Sequence, residues 1–344
     1  MDDKMTASSN ETNPKVSVVM CVWNGEKHLS EAINSILGQT FKDFEFIIVN
    51  DGSTDETEKV LSLFASQDSR IRILDNTLNL GQSYSKNRGI AAARGEYIAM
   101  MDADDWCDPH RFDLQVDFLD MNPEISVLGT DYLIFREDNS GSHLMETANL
   151  PGLLRWDFIF HCAICQASVM MRRCLFSQQG YRYLENLRTA ADFELWTRIL
   201  QTNKIANLNK TLYFYRWHSD NISVRKADDQ KKNTNDVIRR QVNLYIGEEV
   251  SENLIEGIKW PKKIKDTSDA RRVISLYLKL LDATESWDLD EGESSAIMKD
   301  FLNKLNTTAK AVHKHPLMLI SGRFLSSFLK RYIQYRIPNR SIKH

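Results

Sequence analysis

The strongest constraint on this 344-residue chain is an alternation in its first third. Four short apolar runs, Val16 to Val22, Phe44 to Val49, Ile71 to Leu74 and Tyr97 to Met101, each end on polar residues, and stretches of helical character separate them. Asn24-Gly25 follows the first run, and then Leu29, Ile33, Ile36 and Leu37 share a helical face. Asn50 to Asp55 follows the second as a turn and capping segment before a stripe of Val60, Leu61 and Phe64. Asn79-Leu80-Gly81 follows the third and leads into a helix of small residues near Ser83 to Ala93. Strand, turn and helix repeated in this way predict a mainly parallel sheet with right-handed crossovers, an α/β fold. Ligands of such sheets gather at the carboxyl ends of the strands. Polar clusters stand at three of those ends: Trp23-Asn24, Asn50-Asp51 and Asp102 to Asp105.

Past Pro109 the pattern loosens. It predicts a helix over Arg111 to Met121, a strand around Ile125 to Phe135, a polar loop through Asn139 to Asn149, a helix near Ala190 to Gln201 and a strand ending near Tyr213 to Arg216. From about Val224 the chain reads as consecutive helices. The expected division is a flexible tail over 1–14, a catalytic domain over 15–225 and a helical region over 226–344.

The sequence contains neither GxGxxG nor GxxxxGK[ST], so the usual glycine-rich phosphate cradles are absent. A diphosphate bound at these strand ends needs another counter-charge. Asp102 and Asp104, alternate residues just past a strand, offer hard oxygen ligands to Mg²⁺ or Mn²⁺, and such an ion would offset charge on a departing diphosphate. The competing reading makes these acids caps for the helix after Pro109, a task for which Asp108 is better placed.

The segments Val16-Ser17-Val18-Val19-Met20, Trp23-Asn24-Gly25, Val49 to Asp55, Asn79-Leu80-Gly81, Asn87-Arg88-Gly89 and Met101 to Asp105 together resemble glycosyltransferase family 2. The likeness is close over the first third of the chain and looser to about Ser223. It implies a GT-A nucleotide-sugar-binding fold with a C-terminal helical extension, and an inverting transfer from a nucleotide-sugar donor, with UDP as the expected nucleotide. By that resemblance Cys21 to Trp23 and Asn24 line the base or ribose, Asp51 meets the base edge, Asp102 with Ala103 contacts the ribose or metal-bound water, and Asp104 holds the metal. Arg88 approaches the diphosphate or holds its loop. The resemblance places the catalytic base in the stretch Ala191-Asp192-Phe193-Glu194-Leu195-Trp196, as Asp192, with Ala191 where similar proteins carry Glu. An N-cap role is the plain alternative for Asp192. Tyr215-Arg216-Trp217-His218 resembles the segment closing over the donor, and His218 would complete the metal shell. Trp156, Trp196 and Trp217 are stacking candidates that spacing equally assigns to core.

Hydrophobic residues make up 42% and charged residues 26%, as in ordinary globular proteins, and a net charge of -3 gives no overall pull toward nucleic acid. Charge is unevenly spread: Phe301 to His344 carries nine Lys or Arg and no Asp or Glu. From Pro316 a stripe of Leu317, Ile320, Phe324, Leu325, Phe328, Leu329 and Tyr332 is flanked by Arg323, Lys330, Arg331 and Arg336, a basic amphipathic helix suited to an anionic membrane surface or to packing on protein. Neither a secretory signal nor an apolar run of spanning length is present, so the expectation is a cytoplasmic protein, peripheral on the membrane where lipid-linked or other glycan acceptors reside. Five cysteines at irregular spacing, including the lone pair Cys162 and Cys165, read as reduced thiols. Two other classes compete: a haloacid dehalogenase type phosphatase, whose acids belong on the first strand, and a donor-binding protein without turnover. Processive synthases carry Gln-x-x-Arg-Trp, and here Gly152 stands in the Gln position before Arg155-Trp156.

Overall fold

The computed structural model describes residues 13–138 and 140–320, together with 325, 326, 328, 329, 331, 332 and 335. The expected N-terminal tail thus lies outside the described residues except for Asn13 and Pro14. Contacts divide the chain into two compact units. The first holds the described residues up to Met145 with Gln166–Arg188 and Lys210–Trp217; the second holds Glu146–Cys165, Thr189–Asn209 and the described residues from His218 onward.

The first unit opens with the alternation read from sequence: β1 (Val16–Val22), α1 (Leu29–Leu37), β2 (Phe44–Asn50), α2 (Thr57–Gln67), β3 (Ile71–Asp75), α3 (Gln82–Ala92) and β4 (Tyr97–Asp102). Then come β5 (Trp106–Cys107), α4 (Arg111–Met121), β6 (Ile125–Arg136) and β7 (Ser142–Met145). The region expected as a polar loop therefore contains β7, which pairs antiparallel with β6. Ser142, His143 and Leu144 are all exposed, so no apolar alternation marked it. The sheet order is β3-β2-β1-β4-β8-β6-β9-β5, with β8 at Met170–Arg172 and β9 at Lys204–Trp217. Strands β1 to β4 run parallel, and β8 joins β4 antiparallel.

Val16, Val18, Val19 and Met20 of β1 are fully buried, as continuous apolar strands covered on both faces must be. Helix α3 lies directly on that surface because Gly89 has no side chain: a Cβ there would sit 2.6 Å from Val19 Cγ1 and 3.2 Å from Val49 Cγ2.

The second unit is helical: α5 (Pro151–Asp157), α7 (Ala191–Ile199), α8 (Ile222–Arg225), α9 (Ala227–Ile246), α10 (Glu252–Lys259), α11 (Thr267–Ala283) and α12 (Glu291–Ala311), while the short α6 (Cys174–Ser177) belongs to the first unit. Asp290 and Glu293 form a capping box at the start of α12, and Glu293 also accepts the Gly152 amide at 2.6 Å. Trp156 is fully buried and donates to Asp300 at 2.6 Å, and Trp196 is fully buried as well, so both tryptophans are core. Of the basic C-terminal helix, Arg323, Phe324, Lys330 and Arg336 lie outside the described residues. Pro316–Met318 forms a single 3₁₀ turn, Phe328 packs its ring 6.0 Å from that of Phe301, and Arg331 donates to the Leu281 carbonyl and pairs with Glu285. Leu317, Met318 and Leu329 are exposed. Among the described residues no helix is long and apolar enough to cross a membrane.

Candidate active site

Strand order explains where a ligand belongs. From β1 the chain steps outward to β2 and β3, then returns to place β4 on the opposite side of β1. This is a topological switch point, where the loops leaving adjacent strands diverge and open a crevice. Cys21 of β1 and Asp102 of β4 are paired in register across it, and Asn50 ends β2 beside Val22.

The loops after β1 and β2 are laced together. Asn24, held at φ 51, accepts the Thr54 amide at 2.8 Å through its side chain, while its own amide donates to Ser53 Oγ at 3.0 Å. Glu26 accepts the Glu56 amide at 2.8 Å. Asn tolerates the left-handed conformation better than other side-chain-bearing residues, and the side-chain bond holds it there. Asn24 therefore shapes the loop, and its neighbour Trp23 is an exposed aromatic there, with 49% of its surface free.

Asp51 is buried. Its Oδ1 accepts Asn76 Nδ2 at 2.7 Å and the Leu80 amide at 2.9 Å, and its Oδ2 accepts the Gly81 amide at 2.8 Å. A carboxylate has about four acceptor positions, so one on Oδ2 is left. Gly81 has φ 97, and the Arg188 guanidinium occupies the space a Cβ would take. Arg88, expected at the diphosphate or on its loop, donates to the Asp75 carbonyl at 2.7 Å and to Asn76 Oδ1 at 2.5 Å, so it braces the segment after β3.

The three acids after β4 differ in environment. Asp105 is 1% exposed and accepts the Tyr213 hydroxyl and the Arg216 amide, each at 2.7 Å. Burial, with the Asp104 and Asp102 carboxylates beside it, pushes its pKa well above the usual carboxylate range. Asp102 and Asp104 are half-buried. Neither caps α4: Asp108 accepts the His110 amide at 2.8 Å at that helix entrance. Arg216 ties the cluster together by donating to the Asp104 carbonyl at 2.8 Å, pairing with Glu31 and lying 4.8 Å from the Trp106 ring centre. Arg111, fully buried, gives its protons to Gln115 and to the Met100 and Val169 carbonyls.

Such clustered carboxylates repel one another, and a divalent cation would relieve that repulsion. Among the described residues no three His, Cys, Asp or Glu side chains converge on one point that could hold an ion. Two carboxylates completed by donor phosphate oxygens and water are the ordinary surroundings of Mg²⁺, and the donor set here suits that arrangement. Burial, opposed by the nearby Lys86 ammonium and reinforced by Asp102 and Asp51, pushes the Cys21 thiol up to about 12, so it stays protonated and is no nucleophile. Lys86 escaped the sequence reading because nothing in a small-residue helix announces which polar position faces inward.

The remaining predicted residues belong to the second unit. Asp192 occupies the first turn of α7, where the N-cap position is taken by Ala190 at φ 54, so Asp192 is not the cap. Among the described residues it makes no side-chain hydrogen bond or ion pair, and the Cys162 thiol lies within its electrostatic reach. Glu194, two residues on, is buried and bonds Arg198 at 2.8 Å, which turns it away as helical spacing requires. The imidazole Nε2 of His218 is 3.3 Å from Asn221 Nδ2. Cys162 and Cys165 are half-buried, and neither is in a disulfide among the described residues.

A mixed sheet whose parallel strands β1 to β4 carry a switch point between β1 and β4, with acids at the end of β4, defines a Rossmann-like α/β protein of the nucleotide-binding kind. Those acids end the fourth strand and not the first, which removes the dehalogenase-type phosphatase. The family model described as "Glycosyl transferase family 2" matches residues 17–178. "Putative glycosyltransferase EpsE" of Bacillus subtilis (strain 168) is 35% identical over 213 residues, spanning 61% of this chain and 75% of that one. "Putative teichuronic acid biosynthesis glycosyltransferase TuaG" of the same organism is 29% identical over 64% of this chain and 85% of its own. Among solved structures, S. aureus TarS 1-349 in complex with UDP-GlcNAc aligns with a TM-score of 0.57 at 18% identity, covering 86% of this chain and 89% of that one. The mannosyltransferase PcManGT of Pyrobaculum calidifontis, in complex with GDP-Man and Mn²⁺, aligns at 0.51 and 12% identity, covering 97% and 89%. The chain belongs to glycosyltransferase family 2, and its fold is GT-A-like.

Proposed function

We propose that this glycosyltransferase moves a sugar from a nucleoside diphosphate sugar, with UDP as the nucleotide, to a hydroxyl of a glycan or lipid-linked acceptor by a single inverting displacement. The observation that carries the donor half is the carboxylate arrangement at the switch point: Asp105 buried and anchored, Asp102 and Asp104 half-buried and not used as helix caps. Asp102 and Asp104 would hold Mg²⁺ or Mn²⁺ with the donor phosphates, and a bound ion there supplies electrostatic stabilisation of the departing diphosphate. His218 is proposed to complete that shell. Trp23, an exposed aromatic of the loop after β1, offers a face for the base, and the unused position on Asp51 Oδ2 suits an imino N–H of that base.

Asp192 is the proposed general base. It stands in the first turn of α7, and among the described residues its carboxylate makes no side-chain hydrogen bond or ion pair, which leaves it available to an acceptor hydroxyl. In the step itself Asp192 takes the acceptor hydroxyl proton as that oxygen bonds to the anomeric carbon. The bond from that carbon to the phosphate oxygen breaks, and its electron pair leaves with the nucleoside diphosphate. The likeness to a teichuronic acid biosynthesis glycosyltransferase supports a surface-glycan acceptor.

A panel of nucleotide sugars with and without Mn²⁺, scored by release of nucleoside diphosphate, tests the proposal. Asp104→Ala is expected to remove metal-dependent release. Full activity in that variant sinks the site assignment, and donor binding without transfer or hydrolysis supports the non-catalytic alternative.

A further inference from the structure

Helix α3 carries two basic residues two positions apart, Lys86 and Arg88, and a helix sends such side chains about 200° apart. Arg88 is spent on the segment after β3. Lys86 points the other way and is 8% exposed. Among the described residues it has no hydrogen-bond or ion-pair partner, and its ammonium lies 5.8 Å from the ring centre of Tyr183. Gly89, one turn further along α3 and on the same face, lies against Val19 of β1, and α3 starts at the carboxyl ends of the strands, so Lys86 is turned toward β1 nearer that end; the Cys21 thiol there also feels its charge, with those of Asp102 and Asp51.

The surroundings hold this lysine in place. Tyr183 is 1% exposed, and Gln166 Nε2 lies 2.6 Å from its hydroxyl. Asn87, next to Lys86 on α3, clasps the Tyr183 backbone at both its amide and its carbonyl, each at 2.9 Å. The aromatic face thus stands against the ammonium as a fixed wall. Burying an unpaired ammonium is costly, and such a group is retained where an anion completes it. The candidate donor site supplies the anion. One divalent cation cannot by itself balance two carboxylates and the two charges of a diphosphate, and this chain has no phosphate loop to help.

We propose that Lys86 binds the diphosphate of the nucleotide-sugar donor, as the fixed cation beside the metal carboxylates, with Tyr183 and Asn87 as its positioning residues. This assignment rests on the donor-site reading above. It makes Lys86 specific for the phosphates and indifferent to the base and ribose.

The test compares UDP with uridine, and GDP with guanosine in parallel, by titration calorimetry on the full chain in Mn²⁺, for wild type, Lys86→Met and Lys86→Arg. Loss of one charge-assisted contact should weaken the diphosphate by about tenfold to a hundredfold in Lys86→Met. Nucleoside affinity should be unchanged, and Lys86→Arg should recover most of the loss. Should the methionine variant fold poorly, Lys86→Gln carries the same comparison. Unchanged diphosphate affinity, or an equal loss for nucleoside and diphosphate, overturns the assignment. A wild-type protein that binds neither nucleotide overturns the donor-site reading itself, and Lys86 with it.

Discussion

Asp51→Asn separates two jobs for one carboxylate. In the folded chain Asp51 receives three protons, from Asn76, Leu80 and Gly81. An asparagine that keeps its oxygen toward Asn76 and Leu80 turns its NH₂ toward the Gly81 amide, donor against donor. That change removes a charge-assisted bond worth roughly 1.5–3 kcal/mol and leaves a half-buried amide unsatisfied, at roughly 1 kcal/mol or more besides. Local relaxation recovers part, so the expected loss is about 3 kcal/mol, a large share of ordinary folding stability. Urea unfolding of the ligand-free protein measures it, with hydrogen exchange at Leu80 and Gly81 reporting the loop. Wild-type stability and wild-type protection at those amides, with nucleotide binding lost, would refute the loop-organising account and leave only a base-reading role.

Asp192→Asn should lower kcat by a hundredfold or more with donor affinity unchanged, read by initial rates beside UDP titration; equal rates would remove it as the base. Burial and the Asp300 carboxylate, partly offset by Lys304, push Asp157 up to about 7. The native state then keeps a proton that the unfolded state has released between about pH 4 and pH 7, so stability falls as pH rises through that window. Asp157→Asn should gain on wild type as pH rises, by up to about 3 kcal/mol between pH 5 and pH 8 in paired urea melts; a difference that does not vary with pH contradicts the shift. Gly81→Ala combines positive φ with collision against Arg188 and should cost about 1–3 kcal/mol in the same melts. A neutral result there would contradict both the positive φ at this position and the collision with Arg188.

The alternation of apolar runs with helical stripes determined the fold class, because a parallel sheet covered on both faces demands continuous apolar strands and crossover helices. Val16 to Met101 obey that demand almost residue for residue. The same pattern located the strand ends, and with them Asp102 and Asp104, since the last apolar residue of a buried strand is also where polar loops begin. Side-chain direction was decided only by tertiary packing. Asn24, Asp51 and Arg88 spend much of their hydrogen-bonding capacity on segments 12 to 30 residues away, a use that local spacing does not encode. Lys86 is the converse case. A lysine in a small-residue helix reads as surface until Gly89 brings α3 onto β1 and Tyr183 closes beside it, and only then does its charge face the strand ends.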